Sequence, residues 1–120
     1  MSEERKRKVF ITQVPSRRDP DTKLWVPKVN ISPAEQHGEV QILLPPGTQF
    51  YAASETTRLI RQRLHELDYQ QGDFLLPMGD TVIIAVASAI AARRSNGTLN
   101  VLMWDKHSSR YVPYELENLH

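Results

Sequence analysis

Cysteine is absent from these 120 residues, so disulfides and thiolate metal sites are excluded and the fold must be held by its core. A charge excess of either sign is also missing. Fifteen Lys and Arg against fourteen Asp and Glu leave +1, so any case for a polyanionic partner must come from local clustering. Long hydrophobic runs are lacking too. The longest, residues 82–92, is interrupted by Ser88 and ends at Arg93 and Arg94, well short of the roughly 20 apolar residues needed to span a bilayer. Residues 1–8 are a run of charges with no apolar stretch behind them, which argues against a secretory signal and for a disordered tail. No glycine pattern matches a dinucleotide or Walker loop, and the four histidines have no zinc-motif spacing. The expectation is a chain without membrane contact, cofactor, metal or catalytic set.

What is present specifies a single domain over residues 9–120. Residues 9–14 and 24–29 are apolar and β-rich and could form a hairpin, although Pro27 cannot donate a ladder hydrogen bond and belongs at an edge. Ser32 and Pro33 read as the start of a helical turn that Gly38 stops. Residues 39–44 form a compact strand closed by Pro45, Pro46 and Gly47. Ser54 reads as the cap of a helix to about Asp68, with Ile60, Leu64 and Leu67 on one stripe and Arg58, Arg61 and Arg63 elsewhere. Residues 74–76 are a short strand, and Asp80 is placed to cap a helix over about residues 81–94 that is apolar all round and stopped by Asn96 and Gly97. Residues 99–104 and 111–116 complete the set as strands. Two strand–helix–strand passages demand parallel pairing. The predicted fold is therefore a small mixed α/β sheet with a three-stranded parallel core, two crossover helices and antiparallel edge strands from both termini.

In such a sheet, ligands bind beyond the carboxyl ends of the parallel strands, which nominates Thr48, Gly79, Asp80, Thr81 and Asp105 as a crevice for a small ligand or nucleotide, open or plugged by Phe50, Tyr51 or Trp104. The structural reading of Asp80 as an N-cap competes, since its carboxylate would occupy the place of a bound anion. Asp80 and Asp105 are too few carboxylates for a cation site. His107, Ser108 and Ser109 lack an orienting acid, so they do not make a nucleophile and base. A second candidate surface combines Arg17 and Arg18, on a long charged loop, with Trp25, Arg58 and Arg61, for contact with a macromolecule. Solvated helix faces and charge complementation of a helix C-terminus are the bland account of these arginines.

Several segments together resemble a group of small proteins encoded by tailed bacteriophages. These are Thr12 to Asp19, Leu24 to Pro27, Ser32 to Ala34, Gly79 and Asp80 with the alanine-rich helix, and Val101 to Asp105 with Tyr111 and Pro113. The resemblance implies a phage genome and the host cytoplasm, and it brings no activity and no catalytic residues. The expected function is that of a non-enzymatic accessory protein that binds a macromolecule. A host or phage protein is the first expectation, nucleic acid the alternative, and a homodimer formed by pairing of exposed edge strands is open to it.

Overall fold

The computed structural model describes residues 5–48 and 53–120. In chain order the elements are β1 (Lys8–Gln13), β2 (Ser16–Arg18), β3 (Trp25–Pro27), a 3-10 helix η1 (Ser32–His37), β4 (Glu39–Leu44), α1 (Ala53–Glu66), β5 (Phe74–Leu76), α2 (Thr81–Arg94), β6 (Leu99–Asp105) and β7 (Arg110–Leu116). The main sheet has the order β4-β1-β5-β6-β7, and β2 and β3 form a separate antiparallel ribbon.

The expected mixed sheet with two crossover helices is present, with one change in its plan. The N-terminal strand is no antiparallel edge. It lies in the centre, parallel to β4 on one side and β5 on the other, so the parallel part has four strands, and only β7 runs antiparallel. Burial explains the placement. Val9, Phe10, Ile11 and Thr12 are all fully buried, as in a strand covered on both faces, and such strands read as continuous runs without alternation. The 24–29 segment consequently finds its partner in β2 and leaves the sheet at Pro27.

Each face has its own cover. Phe10 and Leu75 point to the helical layer, where Ile60 and Leu64 of α1 meet Ile83, Ala87 and Ile90 of α2. Val9, Ile11, Phe74, Leu76 and Leu102 point to the other face, where Ala34 of η1 packs. The two crossovers that move toward β6 thus share one face and the crossover from β1 to β4 takes the other, as a constant crossover hand requires. Each fully buried aliphatic or aromatic side chain contributes on the order of 1.5–3 kcal/mol.

Local signals act close to where the sequence puts them. Asp80 accepts from the amides of Val82 and Ile83 and starts α2, and Asn96 (φ 57°) and Gly97 (φ 84°) end it. Asn30, not Ser32, makes the turn into η1, accepting from the Ser32 amide and hydroxyl. Ser54 lies one residue inside α1, and that helix ends at Glu66 because Asp68 adopts φ 59° and returns the chain, with Tyr69 N donating to Leu64 O. Although apolar all round, α2 leaves Val82 exposed at 57 %, and its alanines at 85 and 89 lie outside the core cluster.

The N-terminal tail was expected to reach residue 8, but Lys8 opens β1 and Arg5 is anchored. Its guanidinium donates through both terminal nitrogens to the Asp73 carboxylate at 2.7 and 2.9 Å, and Asp73 also accepts from the Lys8 and Gln70 amides. The two outer strands of the sheet are β4 and β7. Arg63 donates to the carbonyls of Ile42 and Leu43 on β4, and β7 carries Pro113.

Candidate nucleic-acid interface

The crevice nominated by topology lies between the carboxyl ends of β1 and β5, where successive connections leave to opposite faces. Two polar residues at the end of β1 close it. The Thr12 hydroxyl donates to Met78 O and accepts from Met78 N at 2.8 Å. The Gln13 side chain donates to Pro45 O at 3.2 Å and accepts from Asp80 N at 3.3 Å. Gly79, at φ 89°, lies so near that a Cβ there would stand 2.7 Å from Gln13 O. Above this plug a depression of about 450 Å³ brings together Thr48, Gly79 and Asp80 with Lys28.

Thr81 and Asp105 are not among the residues lining that depression. Asp105 holds the β6–β7 turn, accepting from the His107 amide and the Ser108 hydroxyl, and these bonds set its carboxyl below the ordinary range. Among the described residues no group of three or more His, Asp or Glu could hold a metal ion. The Asp80 carboxylate already satisfies the first amides of α2. Phe50 and Tyr51 lie outside the described residues, and Trp104 borders a different cavity.

The macromolecule-contact candidates separate. Arg17, Arg18 and Trp25 belong to the β2–β3 ribbon, where Arg18 Nε donates to Lys23 O and the Trp25 ring lies against Gly47. Arg58 and Arg61 lie on α1 and gain new company. Burying Ile60 and Leu64 against the sheet turns the positions at 58, 61, 62 and 65, spaced i, i+3, i+4, i+7, to the opposite side of the helix. The last turn of α2 then sets Arg93 and Arg94 across from them. The result is a groove of about 750 Å³ lined by Arg58, Arg61, Gln62, His65, Ile90, Arg93 and Arg94.

Among the described residues, no carboxylate lines this groove. The nearby Glu66 is engaged by Arg63 at 3.5 Å and by the Gln62 amide at 2.8 Å. The Arg94 side chain is steadied by a 3.2 Å bond to Tyr69 O, whereas the guanidiniums of Arg58, Arg61 and Arg93 make no hydrogen bond or ion pair among the described residues. Four guanidiniums with this little compensation concentrate positive potential that the net charge of +1 hides. Guanidinium forks match phosphate oxygens in pairs. Sequence reasoning assigned Arg93 and Arg94 to the α2 terminus, and no signal in the sequence tells that α1 lies beside it.

The family model described as phage Pam3 gp32-like protein matches residues 7–118. The chain belongs to that family. It is therefore a phage protein, as the resemblance implied, and the family description carries no activity. No curated protein and no solved structure matches the chain. Among the described residues, no helix is long and apolar enough to cross a membrane.

Proposed function

We propose that this protein is a non-enzymatic accessory protein that binds nucleic acid through its phosphate backbone, in the groove between α1 and α2. One observation carries the reading: two arginines from each helix border one groove that no carboxylate lines among the described residues. That clustering favours nucleic acid over the protein partner put first by the sequence. Among the described residues that line the groove, none is aromatic. Single-strand binders rely on base stacking, so duplex is the better match. The non-enzymatic part rests on the polar candidates elsewhere, because Asp80, Asp105 and Ser108 are all engaged in a cap or a turn.

The test is fluorescence anisotropy with the full chain and a labelled DNA duplex of about 30 base pairs, over salt from about 50 to about 300 mM. Four phosphate contacts predict a slope of log K against log salt near −3.6, about −0.9 for each arginine. Arg58→Ala and Arg93→Ala should each flatten the slope by about 0.9. Absence of binding at low salt, a flat slope, or variants indistinguishable from the parent would overturn the proposal. So would tighter binding to polyglutamate than to the duplex, which would point to an acidic protein partner.

A further inference from the structure

The face of the sheet opposite the helices carries a second cavity, independent of the arginine groove. It has a volume of about 540 Å³, within the range of small-molecule sites, and sits at the carboxyl ends of β5 and β6 beside the segment leading into η1. Leu102 and Tyr111 are buried residues of its lining, while Val29, Met78 and Trp104 border it with Asn30. Among the described residues, no charged side chain lines it.

Two features mark this as more than a gap in the cover. Trp104 stands edge-on to Tyr111, with ring centroids 5.0 Å apart and planes at 70°, yet it remains 46 % exposed. Tyr111 is 6 % exposed and its hydroxyl has no partner among the described residues. Among the described residues no fully buried side-chain polar atom lacks a hydrogen bond, so this hydroxyl reaches accessible surface, and the surface Tyr111 lines is the cavity. A phenol is protonated near neutral pH, so this hydroxyl is available as a donor. Asn30 spends its side-chain oxygen on Ser32, which leaves its amide nitrogen as a second donor.

We infer that this cavity is a binding site for a neutral, planar aromatic small molecule carrying a hydrogen-bond acceptor. Neutrality follows from the lining, since a charged group buried there would find no counter-ion. Planarity follows from the Trp104 indole and the Met78 thioether, which favour aromatic contacts. The acceptor would meet the Tyr111 hydroxyl. An extended peptide fits less well, because β5 and β6 are paired on both sides and offer no free edge to augment.

The chain's two tryptophans make the experiment internally controlled. Coumarin, neutral and planar with a carbonyl, is titrated into the ¹⁵N-labelled full chain while both indole N–H resonances are followed. A saturable shift of the Trp104 resonance with the Trp25 resonance unmoved is expected. Coumarin-3-carboxylate should bind at least about tenfold more weakly, for want of a counter-ion. Tyr111→Phe should weaken coumarin by about three- to tenfold, the loss of one hydrogen bond. Should that variant fold poorly, Val29→Trp, at a position already 39 % exposed, should block the mouth and abolish the shift. Shifts that do not saturate, equal movement of both indoles, equal affinity for the charged probe, or unchanged binding in Tyr111→Phe or Val29→Trp would overturn the assignment. DNA binding through the helices can fail without affecting any of these readouts.

Discussion

Asp73→Asn changes one atom and should be among the most damaging single substitutions in the chain. The carboxylate is 1 % exposed and accepts four hydrogen bonds, two from the Arg5 guanidinium and one each from the Lys8 and Gln70 amides. Oδ1 serves Arg5 and Lys8, and Oδ2 serves Arg5 and Gln70. Whichever oxygen becomes an amide nitrogen, two donors then face a donor. Arg5, with 30 % of its side chain exposed, can turn to water, but the backbone amide cannot. An unsatisfied buried amide costs about 1–3 kcal/mol, and the weakened, partly screened ion pair adds about 1 kcal/mol. The expected loss is about 2–4 kcal/mol, which lowers a urea midpoint by about 1–2 M for a domain of this size. Arg5→Ala should cost about 1.5–3 kcal/mol, because it leaves a buried carboxylate with only two donors. The double variant should lose less than the sum, since the two residues act on one bond set. Urea unfolding followed by circular dichroism measures all three. An Asp73→Asn unfolding free energy within about 0.5 kcal/mol of the parent, or a strictly additive cycle, would refute the account.

Two further outcomes follow from the same structure. Gly79→Ala should destabilise by about 2–4 kcal/mol and Gly72→Ala by only about 1 kcal/mol, because both sit at positive φ but only Gly79 would drive a Cβ onto Gln13; equal losses in urea unfolding would remove the close approach as a cause. Burial, aided by the nearby Asp73 charge, raises the Tyr69 phenol above its ordinary value, and burial also raises Tyr111. The folded state therefore favours the neutral phenols, so stability should be full below about pH 10 and fall as pH rises beyond it, where the unfolded chain ionises first. Tyr69→Phe should flatten that decline in urea midpoints, and an unchanged pH profile would contradict it.

The second half of the molecule was legible from residue order because its determinants are local. Asp80 caps through amides two and three residues ahead, Asn96 and Gly97 accept left-handed backbone within one turn, and the β6–β7 hairpin pairs neighbours in the chain. Strand neighbourhood in a parallel sheet is a different matter. The text of residues 8–13 is compatible with an edge or a centre, and only its lack of alternation hinted that both faces are covered. Once β1 enters the middle, Thr12 and Gln13 reach the switch point and close the crevice that topology had nominated.

The arginine groove divides the same way. That Arg58 and Arg61 share a helix face follows from a period of 3.6 residues, whereas their meeting with Arg93 and Arg94 depends on α1 and α2 lying side by side on one face of the sheet. Helical period, caps and turn residues act over a few positions and so are written into the order of amino acids. The company each element keeps is set by which apolar faces can be buried together, a choice made by the whole core at once, and with it come both the groove and the aromatic cavity.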